Sequence, residues 1–372
     1  MSRRFRIGVD MHTVDGIHQG VRTHLLELYA RAVQIAPDLD FYLLGAPKQI
    51  LIAHNKAYEA ANVHTVAMER TGPLGRLLWQ LPKLEKSLAL DLLHTQYITP
   101  LSNSCKTAVT IHDILFESFP QYFTPFFRVR SSLLMRRSGR NADQIFTVSG
   151  FSRRELVDRY HIQEDRVLVT PNAADEKRFH PDGDGAGYLQ KRDLVPGHYI
   201  LSVGRLEPRK NYEVLLRAYA ANPDAPPLVI VGQRDFRFQK LFSLIESLSI
   251  ADRVRILEDV GMDELSSIYR HALVFVYPSV AEGFGMPVME AFSSGVPVIC
   301  SDSTALTEIA TDAALLVEPN SVECLREAIS RMVADGRLRT YCTQAGLKRT
   351  REYSWHKSAE ILVQGLRAAL VS

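Results

Sequence analysis

Short β-branched runs alternate with amphipathic helical stretches along most of this sequence, and the alternation comes in two batches. FRIGVDM (5–11), DFYLLGA (40–46), LDLLHTQ (90–96), TAVTIHD (107–113), QIFTVS (144–149) and RVLVTPN (166–172) read as strands of the first batch. Between them lie segments such as GVRTHLLELYARAVQIA (20–36), whose apolar residues recur at helical spacing. Alternation of this kind predicts a mostly parallel sheet covered by helices on both faces. HPDGDGAGYLQKRDLVPG (180–197) then interrupts the pattern with Gly, Asp and Pro, as a linker would. The strand signals restart at HYILSVG (198–204), PLVIVG (227–232), RVRILED (253–259), LVFVYPS (273–279), PVICSD (297–302) and AALLVEP (313–319). The expectation is two α/β domains, 1–185 and 186–353, with a cleft between them. A terminal helix over 354–372 can pack back on the first domain.

At 372 residues and 46% hydrophobic, the chain is too long for one ordinary core and suits two. A net charge of +2, with 23% of residues charged, excludes a disordered tail and an overall polyanion binder. Cys105, Cys300, Cys324 and Cys342 have no metal-like or redox-like spacing, which fits a reduced cytoplasmic setting. MSRRFRIGVDM is apolar over too few residues for a signal peptide. No run approaches the roughly 20 apolar residues that span a bilayer. The expectation is a protein that is soluble or peripheral to a membrane.

YPSVAEGFGMPVMEAFSSGVPVIC (277–300) has the form strand, glycine-bracketed loop, helix, strand. In open α/β sheets ligands sit beyond the carboxyl ends of strands, where the next helix points its free N–H groups. Gly283, Phe284 and Gly285 let the backbone approach an anion, and Pro287 suits a first helical turn. Phosphate would repel Glu282 and Glu290, so the two carboxylates must address hydroxyls of the same ligand. A nucleotide-sugar offers both kinds: sugar hydroxyls for Glu282 at the loop entrance, and a ribose diol for Glu290 one helical turn on. The cations come from SVGRLEPRKN (202–211), where Arg205 can clamp phosphate oxygens with its fork and Lys210 adds a point charge. Arg209 reads as a spare surface charge. Asp182-Gly183-Asp184 follows no strand, and a solvated turn suits it better than a metal site.

SVGRLEPRKN, YPSVAEGFGMPVMEAFSSGVPVICSD (277–302), and FTVSGFSRREL (146–156) with VLVTPNAAD (167–175) resemble glycosyltransferase family 4. These are retaining sugar transferases of the GT-B fold, two Rossmann-like domains facing across a cleft. The resemblance runs over nearly the whole chain, and the glutamate pair separated by seven residues is its most specific part. It implies a nucleotide-sugar donor on the second domain and an acceptor on the first. By position, Arg205 and Lys210 match the diphosphate pair, Glu282 the residue at the donor sugar and Glu290 the ribose ligand. Val260 takes the place where backbone groups meet the base. The resemblance implies no metal and no cofactor, the nucleotide-sugar being substrate. Retention at the anomeric carbon is likewise an implication of the family. HDILFESFPQYF and GVRTHLLELY further resemble bacterial transferases that use GDP-mannose in cell-surface polysaccharide assembly, such as O-antigen synthesis.

In the first domain, Gly20 can bring a helix N-terminus to the donor phosphates or can simply open the helix. Family members often have two glycines here, and Gln19 replaces the first. His112, at the end of TIHD, can serve the reacting sugar or be a satisfied structural histidine, and the resemblance favours the first. Arg153 and Arg154 read as surface residues. FFRVRSSLLMRRSGR (126–140) holds Arg128, Arg130, Arg136, Arg137 and Arg140 and no acidic residue. Such a segment can rest on anionic lipid at the cytoplasmic membrane surface or form a solvated helix face. Nucleic acid is disfavoured, because the basic character is local and no aromatic platform accompanies it. A nicotinamide dehydrogenase would need Gly-x-Gly-x-x-Gly after a strand, a spacing absent from RIGVDMHTVDGIHQG and from SVGRLEPRKN. A non-catalytic sugar-nucleotide binder could dispense with Glu282 or His112, and both are present.

Overall fold

The computed structural model describes residues 3–14, 19–69, 71–234 and 239–371. The chain forms two compact units, Met1–Asn172 with Ser354–Ser372, and Ala173–Tyr353.

The first unit is built on β1 (Arg6–Asp10), β2 (Asp40–Leu44), β3 (Val63–Val66), β4 (Leu92–Gln96), β5 (Lys106–Thr110), β6 (Gln144–Thr147) and β7 (Val167–Val169), in the order β3-β2-β1-β4-β5-β6-β7. All pairings are parallel. The central strands are buried on both faces, as crossover helices require, and LLHTQ, KTAVT and QIFT bury polar residues such as His94 and Thr110 beside their apolar ones. β3 escaped the sequence reading: VHTV lies at the sheet edge, is half-buried throughout, and carries neither an apolar run nor a clean alternation.

The second unit has β8 (Ile200–Val203), β9 (Leu228–Val231), β10 (Val254–Leu257), β11 (Val274–Tyr277), β12 (Val298–Ser301) and β13 (Ala314–Val317), in the order β10-β9-β8-β11-β12-β13. These strands also pair in parallel throughout. Numbered from its own first strand the order is 3-2-1-4-5-6, the doubly wound dinucleotide-binding topology. The order reverses between β8 and β11, so a crevice opens at their carboxyl ends. The loops that follow these two strands carry Arg205, Lys210 and Glu282.

The expected linker is part of this second unit, and so are residues 173–185, which the boundary at 185 had assigned to the first domain. Its Gly, Asp and Pro residues make packed turns. Arg270 Nε donates to the His180 carbonyl at 2.9 Å, and Ser267 Oγ donates to the Gly185 carbonyl at 3.1 Å. A Cβ on Gly185 would meet Ser267 Oγ at 1.8 Å. The Asp184 carboxylate accepts from the Ala186 amide at 2.9 Å and opens a short helix, Ala186–Lys191, whose Leu189 is buried. Among the described residues, no group of three or more His, Cys, Asp or Glu side chains is placed to hold a metal ion.

The C-terminal helix Trp355–Val371 belongs to the first unit, where it lies against the helix Gln19–Ile35 and the sheet. Ser358 Oγ donates to the Pro171 carbonyl at 2.6 Å. Gly365 lets the helix approach the strands, since a Cβ there would sit 2.7 Å from two atoms of the Phe146 ring. No helix among the described residues is long and apolar enough to cross a membrane.

The helix Pro125–Asn141 carries the basic segment, and its arginines divide into two groups. Arg137 donates to the Pro100 and Leu101 carbonyls, Arg140 to the Tyr160 carbonyl, and Arg136 stacks over the Tyr160 ring with Glu117 3.9 Å away. Arg130 is exposed beside Phe126, and Arg128 is half-buried. Phe126, Val129 and Leu133 are 70–76% exposed, at the i, i+3, i+7 spacing of one helix face. Replacing Gly365 with Val, which forces bulk against Phe146, is expected to destabilise the protein by about 1–3 kcal/mol in thermal unfolding.

Candidate functional site

β8 leads into a loop that turns sharply. Gly232 sits against it so closely that a Cβ there would lie 1.9 Å from the Gly204 carbonyl oxygen. Leu206 is buried and anchors the loop, and Glu207 leads into a single 3-10 turn, Pro208–Lys210. Asn211 then takes left-handed geometry at φ 59°, a conformation asparagine tolerates, and starts the helix Tyr212–Ala220. This path buries the Lys210 side chain, half-buries Arg209 and leaves Arg205 exposed at the strand end.

Glu282, 8% exposed in the loop after β11, is the focus of the site. Its Oε1 accepts from Lys210 Nζ at 2.6 Å, from Tyr277 OH at 2.8 Å and from Ser279 Oγ at 2.6 Å. Lys210 also donates to Tyr277 OH at 2.6 Å. Arg209 Nη1 lies 3.1 Å from Oε2 and donates to the Ala281 carbonyl, while its Nη2 bonds Glu207 at 2.6 Å. The Glu282 amide donates to Thr304 Oγ1 at 2.9 Å, which fixes the backbone as well. Burial alone would raise the Glu282 pKa. The Arg209 and Lys210 charges, with the hydrogen bonds from Lys210 and Ser279, overcome it and hold the carboxyl at about 2. For Lys210 burial is the largest influence and lowers its pKa, against the pull of Glu282.

One expectation needs correction here. Arg209 is no spare surface charge: its guanidinium bridges Glu207, Ala281 and Glu282. Glu282 and Lys210 also bond each other directly. The reason is charge balance, because a carboxylate buried this deeply needs its cations in contact.

Gly285 has φ 118°, and a Cβ on it would lie 2.6 Å from Leu306, so glycine alone fits before the helix Met286–Ser293. Gly283 is buried beside it. Phe284 turns its ring into the core, edge-on to Tyr353 at 5.7 Å between centroids, so its contribution to a ligand would come from the backbone. Glu290, in that helix, accepts from Tyr269 OH at 3.0 Å. Burial pushes its pKa up to about 7, against the Tyr269 bond and the Arg178 charge. Val260 follows β10, half-buried, with its amide donating to the Glu258 carbonyl at 3.0 Å.

The first unit holds the other two candidates. His112 is 6% exposed beyond β5, with Nε2 2.8 Å from Gln96 Oε1. A carbonyl oxygen can only accept, so Nε2 carries the proton. The His24 ring lies edge-on at 4.7 Å. Burial, with His24 and His94 adding to it, holds the His112 pKa well below the usual range, and the imidazole is neutral at neutral pH. Gly20 is exposed in the first turn of its helix, and a Cβ there would meet open space. The preceding loop residues 15–18 lie outside the described residues.

The structure thus brings together Lys210 and Glu282, adds Arg209, Tyr277 and Ser279, and couples Glu290 to Tyr269. Sequence reasoning missed the roles of Arg209, Tyr277, Ser279 and Tyr269. The run YPS (277–279), two residues short of the glutamate, offered a signal for Tyr277 and Ser279, and adjacency to Lys210 offered one for Arg209. Tyr269 lies in a different helix and offered none.

Two parallel-sheet Rossmann-like units, with an ionised carboxylate and two cations where the second sheet reverses, define a protein of the GT-B class. The family model described as glycosyl transferases group 1 matches residues 192–349, and that described as glycosyltransferase family 4 matches residues 18–178. The O-antigen chain mannosyltransferase B of Escherichia coli is 35% identical over 256 residues, 67% of this chain and 67% of that one. The O-antigen chain mannosyltransferase RfbU of Salmonella typhimurium is 29% identical over 238 residues, 64% of this chain and 63% of its own length. These matches therefore span about two thirds of each relative. The sucrose-phosphate synthase of Thermosynechococcus elongatus shares the fold at a TM-score of 0.77, with 22% identity over 98% of both chains. The chain belongs to the group 1, family 4 glycosyltransferases, and it is a glycosyltransferase.

The folded protein binds the Glu290 proton more tightly than the unfolded chain does, so stability is expected to fall as pH rises from about 4.5 towards 7. Glu290→Gln should remove that slope. Thermal unfolding of the two proteins between about pH 5 and 8 checks it, with wild type losing ground to the variant as pH rises.

Proposed function

We propose that this glycosyltransferase moves mannose from GDP-mannose to a hydroxyl of a glycan or lipid-linked acceptor in cell-surface polysaccharide assembly, with retention at the anomeric carbon. The observation that carries the reading is the Lys210–Glu282 pair at the point where the second sheet reverses its order. The choice of mannose comes from the relatives, two of which are named as O-antigen chain mannosyltransferases.

In this reading the donor's diphosphate takes Arg205, Lys210 and the amides of Gly283, Phe284 and Gly285. Glu282 accepts from the hexose hydroxyls, Glu290 from the ribose diol, and the Val260 backbone meets the base. The bond from the anomeric carbon to the diphosphate oxygen breaks with its electron pair going to that oxygen. The acceptor hydroxyl bonds to the same carbon and its proton passes to the departing phosphate. Cations and amides aimed at the growing negative charge stabilise it in the manner of an oxyanion hole. His112, neutral and oriented by Gln96, hydrogen-bonds the hexose, and Gly20 opens a helix end to the phosphates. The reading uses no resident metal or cofactor, because protein cations supply the charge.

A panel of nucleotide-sugars tested by thermal shift checks the donor. GDP-mannose should raise the melting temperature by mass action more than UDP- or dTDP-sugars. A larger shift with another base would overturn the donor assignment and leave glycosyl transfer standing. NMR of the product should show the anomeric configuration of the donor, and the opposite configuration would exclude retention. Glu290→Ala should weaken GDP binding, whereas Lys210→Ala should mainly slow turnover.

The proposal also takes the enzyme to the cytoplasmic face of the membrane. There Phe126, Val129 and Leu133 would enter the lipid interface while Arg128 and Arg130 meet anionic headgroups. Phe126→Ser with Leu133→Ser should reduce co-sedimentation with phosphatidylglycerol vesicles while leaving GDP-mannose hydrolysis in solution unchanged. Undiminished sedimentation would remove the membrane from the proposal.

A further inference from the structure

Glu282 has two cationic neighbours, and they differ in what else they hold. Lys210 donates to Glu282 and to Tyr277 OH. An ammonium has three N–H groups, so it can take a phosphate oxygen on the third. Arg209 is committed to protein atoms on both arms: Nη1 serves Glu282 Oε2 and the Ala281 carbonyl, and Nη2 serves Glu207. Its own backbone carbonyl accepts from the Val280 amide at 3.0 Å, which ties the turn after β8 to the loop after β11. Arg209 is thus built into both loops.

We propose that Arg209 is a positioning residue, the permanent counter-cation of Glu282, which holds the carboxylate in place while Lys210 is shared with the donor's diphosphate. The inference rests on the reading of this crevice as the donor site. Its physical basis is charge balance. A diphosphate arriving at Lys210 competes with Glu282 for one ammonium, and a buried carboxylate whose sole cation is drawn away takes up a proton or swings out. Either change would remove the acceptor meant for the sugar hydroxyls. A guanidinium fork on the other oxygen prevents both, and its planar geometry also sets the plane of the carboxylate. Glu207 braces the fork. The groups facing Glu282 are Arg209 and Lys210 from the 3-10 turn, Tyr277 from β11, Ser279 from the following loop and Thr304 from the helix Thr304–Ala310. Tyr212 lies within electrostatic reach of Glu282, and Glu207 within reach of Lys210.

The test compares wild type, Arg209→Gln, Arg209→Lys, Glu282→Gln and the double variant Arg209→Gln/Glu282→Gln. GDP-mannose hydrolysis and GDP binding are followed as functions of pH. In Arg209→Gln, kcat should fall about ten- to a hundredfold, with KM and GDP affinity changed far less. The acid limb of its pH–rate profile should move up by about 1–3 pH units. Arg209→Lys restores the charge without the fork and should recover the pH profile with only part of the rate. In the Glu282→Gln background, Arg209→Gln should add little. A loss of rate parallel to wild type at every pH, or equal effects of Arg209→Gln with and without Glu282, overturns the proposal. Acid unfolding of the donor-free proteins separates the two layers. If Arg209→Gln shifts the acid transition upward but wild type neither binds GDP nor hydrolyses GDP-mannose, the donor reading fails and the pairing stands. If the acid transition does not move, the pairing itself is wrong.

Discussion

A carboxylate that is 8% exposed and still ionised is the constraint around which the second unit is organised. Burying such a group costs several kcal/mol unless cations and hydrogen-bond donors meet it. Glu282 therefore requires Arg209 and Lys210 from one strand end and Tyr277 and Ser279 from the next. Two loops that share one carboxylate cannot move independently. The crevice is held in shape by these protein contacts, which in the proposed reading lowers the ordering cost of binding a donor.

The sheet topology makes that sharing possible. Because the order reverses between β8 and β11, two strands adjacent in space send their chains away in opposite directions, and their ends bound one crevice. Gly232 against the Gly204 carbonyl and Gly285 against Leu306 permit the close approach of the loops. Glu290 illustrates the opposite electrostatic outcome in the next helix. Tyr269 bonds it and the Arg178 charge pulls against burial, yet burial prevails and raises the pKa to about 7. Two glutamates separated by seven residues thus differ in charge at neutral pH, one fully ionised and one near its midpoint.

Much of the fold was legible because apolar and β-branched residues dominate many of the strands, as in ILSV, LVIV and VFVY. Every strand read from the sequence is present. VHTV (63–66) was illegible because this half-buried edge strand has neither an apolar run nor a clean alternation. The Gly, Asp and Pro run at 180–197 misled for a related reason: turn chemistry reports backbone geometry, and packed turns use the same residues as linkers. Leu189 and the contacts of Ser267 and Arg270 made it part of a domain. At the site, Lys210, Glu282 and Glu290 stood out by residue type and position after strands. Arg209 did not, because neighbouring cations on a tight turn look alike until the turn decides which one faces inward. Tyr269 reaches Glu290 from 21 residues away, and no local pattern encodes that.

The ionisation of Glu282 in the donor-free protein is the quantity on which the account turns. It can be followed by carbon-13 NMR of protein labelled at the glutamate side-chain carboxyl carbon, with Glu282→Gln to assign the resonance. The account predicts a carboxylate that stays ionised well below the ordinary glutamate value of about 4.3, with the midpoint moving up in Arg209→Gln. A midpoint at or above that ordinary value in the wild-type protein would contradict it.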